Sequence, residues 1–337
     1  TSYYGYTDIT VEDVTVTDVG GGAGVQTYGY LGVTVLSTGA INTYGDYIEG
    51  VLANSVDGDV DVTVNDVYTN GLQSEGVDAS SYTGDVSVTV NGLVETEGYG
   101  AQGVDAHSTF GDVSITASGD IDTAGDFAAG MDAYSSYGNV YVESTGSITT
   151  AGLNSAGMDA YSSYGNVYAE ANDITTSGDN SAGVDASSFD GNVYVDGNGT
   201  IITSGLNSAG LDAYSSYGYV DADNFGSITT SGDNSAGVSA VSYGGDVSAF
   251  SDGDVTTTGD FSNGIQAASY LGDAYAGNDG EVDTAGIFSY GVSAYSYAGN
   301  ATAVNTGDVS TTGNYSHGLF AYAYNGVAYV DNSDGHV

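Results

Sequence analysis

The 337-residue chain contains no lysine, arginine, proline, cysteine or tryptophan. Nucleic acids and anionic membrane surfaces are bound mainly through lysine and arginine, so neither is expected as a partner. Without cysteine the chain forms no disulfide and carries out no thiolate chemistry. No apolar run approaches the ~20 residues of a membrane-spanning helix, so direct membrane insertion is not expected.

Acidic residues, glycine and tyrosine make up much of what is present. The 44 aspartates and glutamates give a formal net charge of −44, and there are 54 glycines and 30 tyrosines. Low hydrophobicity with high net charge is typical of disordered chains, but regularly spaced apolar residues argue against disorder here. The sequence starts at Thr1, without methionine and within its repeat, so we expect a mature or excised piece of a longer precursor.

A repeat runs along the chain, and each copy is twenty-six or twenty-seven residues long. Each copy opens at a glycine, counted as position 0, and these glycines are Gly45, Gly71, Gly98, Gly125, Gly152, Gly178, Gly205, Gly232, Gly259, Gly286 and Gly313. Positions 5 and 13 are also glycine in all eleven copies, position 8 is alanine, and position 6 is apolar. The pattern extends toward both ends, so we predict one continuous domain over residues 1–337.

Each copy is predicted to contain three short strands. Apolar residues at positions 6 and 8 flank a polar one, which is the alternation of a strand with one buried face. Positions 15 and 17 repeat this alternation, and a third strand carries one inward apolar residue, such as Ile148. Such strands form a core only when copies stack. The sequence therefore predicts an all-β fold, a right-handed parallel β-helix (β-solenoid) of about twelve coils, with positions 6, 8, 15 and 17 buried and position 7 exposed.

The repeat also resembles a known family. The strings TTSGDNSAGVDA (Thr175–Ala186) and TTSGDNSAGVSA (Thr229–Ala240) resemble the β-helix repeats of autotransporter and large-adhesin passenger domains. The resemblance covers nearly the whole chain. It implies a β-helical fold and an extracellular or cell-surface location, and it implies little about activity because such repeats are mostly stalk.

Stacking turns position 7 into a ladder of six carboxylates: Asp78, Asp105, Asp132, Asp159, Asp185 and Asp212. Neighbouring carboxylates ~4.8 Å apart repel by ~1 kcal/mol per pair even in water, and no basic side chain offsets this. Calcium prefers oxygen ligands, so these six residues are candidate calcium ligands and calcium is the candidate cofactor. The alternative is a solvated face, with the repulsion screened by salt or relieved by protonation.

Tyrosines fall into ladders as well, at position 9 (Tyr134, Tyr161, Tyr214) and at position 16 (Tyr141, Tyr168, Tyr194). Stacking along the coils would stabilise the fold, and the alternative is an aromatic surface for a polysaccharide or a neighbouring rod. Threonine pairs on the third strand raise the idea of an ice-binding face, but Asp173, Asp254 and Asp308 interrupt them.

Catalysis is not indicated. The histidines His107, His317 and His336 lie at unrelated positions, and no local arrangement singles out a nucleophile. The copies keep one length, whereas enzymes on this kind of coil usually carry longer loops at their sites. The prediction is therefore that the chain is not an enzyme.

Two functions of different classes remain. The first is an extracellular structural protein that self-assembles into a filament, sheath or surface layer. The second is an adhesin stalk that binds a carbohydrate or a cell-surface receptor. Because the repeat runs to both ends without altered capping copies, terminal coils would offer unpaired strand edges, and we expect homo-oligomers through end-to-end or lateral association.

Overall fold

A computed structural model describes residues 5–17, 21–333 and 335–337. The described residues form strands and turns, and none of their segments is a helix long and apolar enough to cross a membrane. The chain divides into two compact units, Thr1–Asn166 and Val167–Val337, each a parallel β-solenoid with three strands per coil. The two units together contain about twelve coils. The predicted fold class is confirmed, and the prediction of one continuous domain stays a prediction.

The strands of the first unit are short, because each coil turns three times within one repeat. They are β1 (Tyr6–Val11), β2 (Val14–Thr17), β3 (Gly22–Gly29), β4 (Gly32–Ser37), β5 (Ala40–Tyr44), β6 (Ile48–Ser55), β7 (Val60–Val64), β8 (Asp66–Asn70), β9 (Val77–Ser81), β10 (Val86–Val90), β11 (Val94–Glu97), β12 (Val104–Ser108), β13 (Val113–Ala117), β14 (Ile121–Thr123), β15 (Met131–Ser135), β16 (Val140–Ser144), β17 (Ser147–Thr150) and β18 (Met158–Ser162).

The second unit continues the same order of strands. They are β19 (Val167–Ala171), β20 (Asp173–Thr176), β21 (Val184–Ser188), β22 (Val193–Gly197), β23 (Thr200–Thr203), β24 (Leu211–Ser215), β25 (Val220–Asn224), β26 (Ser227–Thr230), β27 (Val238–Ser242), β28 (Val247–Ser251), β29 (Asp254–Thr257), β30 (Ile265–Ser269), β31 (Ala274–Asn278), β32 (Glu281–Thr284), β33 (Val292–Ser296), β34 (Ala301–Asn305), β35 (Asp308–Thr311), β36 (Leu319–Ala323) and β37 (Ala328–Asp331).

Each strand pairs with the strand one coil away. In the first unit the three sheets have the orders β1-β4-β7-β10-β13-β16, β2-β5-β8-β11-β14-β17 and β3-β6-β9-β12-β15-β18. In the second unit they are β19-β22-β25-β28-β31-β34-β37, β20-β23-β26-β29-β32-β35 and β21-β24-β27-β30-β33-β36. All pairs are parallel and join equivalent repeat positions, such as Val86 with Val113 and Ala213 with Ala240. Each repeat position is therefore a column along the unit.

The core is made of the inward columns. Positions 6, 8, 15 and 17 are buried from Val25 to Ala303, with Val77, Ala79, Val104 and Ala106 fully inaccessible to solvent. The third strand adds its apolar residue, such as Ile148. In the last coil the same columns open to solvent, because no further strand covers β36 and β37 within the described residues. The predicted burial is confirmed except in this coil.

Two corners of each coil require glycine because successive coils come into close contact there. A Cβ on Gly232 at position 0 would lie 1.8 Å from the carbonyl oxygen of Gly205. A Cβ on Gly218 at position 13 would lie 2.0 Å from the carbonyl oxygen of Gly191. Any side chain would therefore push two coils apart, which explains the glycines at these positions in every copy.

Position 2 adopts a left-handed backbone in every described coil. Asparagine, which tolerates this conformation, takes the position in four coils, at Asn154, Asn180, Asn207 and Asn234. Other coils place an aromatic residue there, such as Phe288 with a φ of 55°. Phe288 stacks on Phe261 and on Tyr315, with ring centroids 5.5 Å and 5.0 Å apart. Stacking contacts thus offset the strain of the left-handed turn.

Candidate functional site

The acidic column of the first unit consists of Asp78, Asp105, Asp132 and Asp159, which occupy position 7 on β9, β12, β15 and β18. These four are direct partners in the parallel register, each opposite the next. In the second unit Asp185 pairs with Asp212 in the same way. All six predicted site residues therefore lie at equivalent positions, as expected from the repeat.

Their exposure differs from the prediction. Of the six carboxylates, Asp185 is exposed, and the other five are half-buried. In the first unit, the residues at position 4, including Glu75 and Gln102, interact with the column from the preceding turn. Asp78 Oδ1 and Gln102 Oε1 are shielded from solvent and accept no hydrogen bond. The expectation of an exposed face is correct for Asp185 and wrong for the rest.

Burial changes the protonation of the column. Burial, and then the neighbouring charge of Asp105, raises the pKa of Asp78 to about 6 and that of Asp132 to about 7. Burial and Asp132 raise the pKa of Asp159 to about 7. Burial and the charges of Asp78, Glu49 and Asp105 raise the pKa of Glu75 to about 7, although a backbone hydrogen bond opposes the shift. Near neutral pH the column therefore holds both protonated and ionised carboxyl groups.

His107 joins the column from position 9 of its coil. Its Nδ1 lies 3.6 Å from Asp105 Oδ1, and the interaction with this carboxylate raises the pKa of the imidazole. The protonated imidazole in turn acts to lower the pKa of Asp78 and of Asp132. The sequence did not predict that His107 contacts the acidic column, because His107 was compared with the other histidines and not with the aspartates at position 7.

No group of three or more histidine, aspartate or glutamate side chains in residues 5–17, 21–333 and 335–337 is arranged to hold a metal ion. What the column can do chemically is take up and release protons near neutral pH, because burial and neighbouring charges raise the pKa values of Glu75, Asp132 and Asp159 to about 7. Calcium binding by the six aspartates at position 7 stays a prediction.

Many of the remaining acidic residues cap backbone groups of the next coil. At position 14, Asp112 N–H donates to Asp85 Oδ1 at 2.8 Å. At position 1, Leu153 N–H donates to Asp126 Oδ1 at 2.8 Å. At the third corner, Ser147 donates its N–H and its hydroxyl to Asp120, which lowers the pKa of that carboxyl. Corner carboxylates are thus stabilised by N–H groups, without any basic side chain.

Buried hydroxyl groups link the coils as well. Thr230 Oγ1 donates to the carbonyl of Ser235 at 2.7 Å and fixes the turn at position 0. Ser235 Oγ accepts the N–H of Ser208 at 2.9 Å and donates to the carbonyl of Gly205 at 3.0 Å. The sequence carries a signal for this contact, since threonine recurs two residues before the position 0 glycines.

The predicted tyrosine ladders are formed in part, because Tyr214 lies between Ser187 and Val241 in the parallel register and not beside another tyrosine. Tyr134 stacks on Tyr161 with centroids 5.5 Å apart, and Tyr168 stacks on Tyr194 at 5.0 Å. A further set at positions 11 and 12, here named the aromatic corner, was not predicted; its members are Tyr82, Phe110, Tyr137, Tyr164, Phe189, Tyr217, Tyr243, Tyr270, Tyr297 and Tyr324. Most of these rings are stacked face to face, so they cover one another's faces and present their edges to solvent.

The comparisons with known proteins return nothing for this chain: no protein-family model, no curated protein and no solved structure matches it.

Proposed function

We propose that this chain is an extracellular structural protein that self-assembles through its β-solenoid units into a filament, sheath or surface layer. The observation that carries the proposal is the repetition of the joint between coils. The parallel backbone pairing recurs at each joint described in a unit, and the serine hydroxyl contacts recur at successive joints of the second unit, so the same contacts can be made between two chains as well as within one.

Two successive joints of the second unit illustrate this. Ser208 N–H donates to Ser235 Oγ at 2.9 Å, and one coil later Ser235 N–H donates to Ser262 Oγ at 3.0 Å. Ser235 Oγ donates to Gly205 and Ser262 Oγ donates to Gly232, at 3.0 Å and 2.9 Å. Because donors and acceptors repeat by translation, a coil of a second copy offers the groups that the next coil of the same chain would offer.

Uncovered apolar positions support an association of this kind. Val330 on β37 is 49% exposed, whereas its register partner Ala303 on β34 is fully buried. A further coil, from the same or another chain, would bury this side chain. The extracellular location rests on the resemblance of the repeat to passenger domains.

The test is sedimentation of the purified 337-residue chain over a range of concentrations, followed by electron microscopy. We expect concentration-dependent oligomers and periodic fibres. The variant Val330→Asp places a charge in the joint and should abolish the oligomers. Val327→Asp is the matched control, because Val327 is 66% exposed at a corner position outside the inward columns. A strictly monomeric wild-type chain at high concentration would overturn the proposal.

The alternative, an adhesin stalk that recognises a polysaccharide, is less well supported by the aromatic rings. Sugars stack on free ring faces, and in the aromatic corner the faces of neighbouring rings, such as Tyr270 and Tyr297, cover one another at 4.6 Å. A monomeric chain that binds immobilised polysaccharides, and loses binding when these tyrosines are replaced by alanine, would favour the adhesin.

A further inference from the structure

The composition leaves tyrosine as the most readily oxidised side chain on the surface. Cysteine and tryptophan are absent, and the chain has two methionines and 30 tyrosines. Both methionines, Met131 and Met158, are fully buried. An oxidant that removes one electron at a time therefore meets phenol groups before it meets a thiol, an indole or a thioether.

Four tyrosines of the aromatic corner form an unbroken stack in the second unit: Tyr243, Tyr270, Tyr297 and Tyr324. Their successive ring centroids are 4.7 Å, 4.6 Å and 4.8 Å apart, with interplanar angles of 8°, 1° and 4°. Each ring is between 41% and 60% exposed. The rings are therefore both accessible to an oxidant and in contact with a second phenol.

The backbone beneath this stack is fixed. Tyr270 N–H donates to the carbonyl of Ser242 at 3.0 Å, and Tyr324 N–H donates to the carbonyl of Ser296 at 3.0 Å. Ser242 Oγ in turn donates to the carbonyl of Gly218 at 2.9 Å, which ties the corner to the preceding coil. Adjacent tyrosines are thus held next to each other, and only their side chains need to move.

We propose that the stack Tyr243–Tyr270–Tyr297–Tyr324 is a site of oxidative coupling, at which neighbouring tyrosines join as dityrosine and link successive coils covalently. The co-reactant is a peroxide acting through a haem peroxidase. Each of two phenols loses one electron and its hydroxyl proton, and the two radicals join through ring carbons adjacent to the oxygens. The two ring hydrogens then move to the oxygens and restore the phenols. One hydrogen peroxide is reduced to two waters for each carbon–carbon bond formed.

The stacked geometry suits this reaction. The reacting carbons must close by about 3 Å from the stacked separation to a single carbon–carbon bond. Because these tyrosines are 41% to 60% exposed, their rings can do this by rotation about the side-chain torsions. When each phenol couples once, the stack yields either two links, Tyr243 with Tyr270 and Tyr297 with Tyr324, or one link, Tyr270 with Tyr297.

The test is treatment of the full chain with a haem peroxidase and hydrogen peroxide at low protein concentration. Dityrosine is measured by its fluorescence, and the links are located by mass spectrometry after pepsin digestion, since the chain has no lysine or arginine for trypsin. We expect links within one chain, each with a loss of two hydrogens, between tyrosines that are one repeat apart in the sequence.

Two variants and a control make the test specific. Tyr270→Phe keeps the stacked ring and should confine the links of this stack to Tyr297 with Tyr324, because only these two phenols remain adjacent. The double variant Tyr270→Phe, Tyr297→Phe leaves two tyrosines without a neighbouring phenol and should abolish them. Tyr315→Phe is the control, since Tyr315 is 74% exposed but stacks on Phe288. Links from Tyr243 or Tyr324 to another tyrosine of the same chain that form equally in the double variant, or links of this stack that form only between chains, would overturn the proposal.

Discussion

Replacing Asp132 with asparagine should make the protein more stable at about pH 8 and leave its stability nearly unchanged at about pH 4. Burial and the charge of Asp105 raise the pKa of Asp132 from 3.8 to about 7 in the folded protein. The folded state therefore binds this proton more tightly than the unfolded state. The contribution of this bound proton to the stability of the folded state is fully present below about pH 4 and is lost as the pH rises through about 7. Asparagine resembles the protonated acid and does not ionise.

The magnitude follows from the same shift. A pKa difference of about 3 corresponds to an upper limit of about 4 kcal/mol, at 1.36 kcal/mol for each pKa unit. Asp132 keeps partial contact with solvent, and its charge interacts with Asp105 and His107, so the expected gain at pH 8 is on the order of 1–2 kcal/mol. Glu75 and Asp159, whose pKa values are also raised to about 7, should give the wild-type chain a general loss of stability over the same interval.

The measurement is unfolding of wild type and Asp132→Asn by circular dichroism in denaturant, from pH 4 to pH 8 at constant ionic strength. Asp120→Asn is the control, and it should change the stability at pH 8 in the opposite direction. Ser147 lowers the pKa of Asp120, so its contribution is present above the unfolded pKa of 3.8 and is lost as the pH falls. Asp120→Asn should therefore weaken the fold at pH 8. A less stable Asp132→Asn at pH 8, or parallel pH profiles for wild type and Asp132→Asn, would refute the reasoning.

Three further outcomes are expected. Thr230→Val leaves the carbonyl of Ser235 without its donor and should lower the unfolding free energy by about 1–3 kcal/mol, while Thr229→Val, on the exposed side of the same strand, should change it by less than about 0.5 kcal/mol. Asn207→Ala should be less stable than Asn207→Gly by about 1 kcal/mol, because φ at this residue is 53° and both variants lose the same side chain; equal denaturation midpoints would contradict this. Calcium should raise the thermal midpoint at about pH 8 relative to a chelator at matched ionic strength, and equal midpoints would favour the solvated face.

The sequence predicts the fold because one period fixes which residues face inward. Once copies stack, Ala79 and Ala106 must lie in one column, and the structure places them there. The aromatic corner was harder to find. Tyr82 lies at position 11 and Phe110 at position 12, yet their rings contact each other, because both positions belong to the turn after the strand, where the alternation of the strand no longer holds. Counting from position 0 therefore assigns different repeat positions to residues whose rings contact each other.

The burial of the acidic column could not be predicted from the alternation of apolar and polar residues within one strand. Alternation places Asp78 and Asp132 on the outer face but does not show what covers that face. The covering residues, Glu75 and Gln102, belong to the turn before the strand, whose path depends on the left-handed residue at position 2. Recurrent left-handed turns were not anticipated where the residue is Phe or Gln, because neither favours that conformation.

The glycine contacts at the corners have a consequence for how such a gene can change. A side chain at Gly232 would collide with the backbone of the coil before it, so single substitutions at these columns are strongly disfavoured. Duplication or deletion of a whole copy, by contrast, restores the glycine contacts at the new joint, because positions 0 and 13 are glycine in all eleven copies. Recombination between repeats can therefore lengthen or shorten the protein in steps of one coil, while point mutation at the two glycine columns is disfavoured.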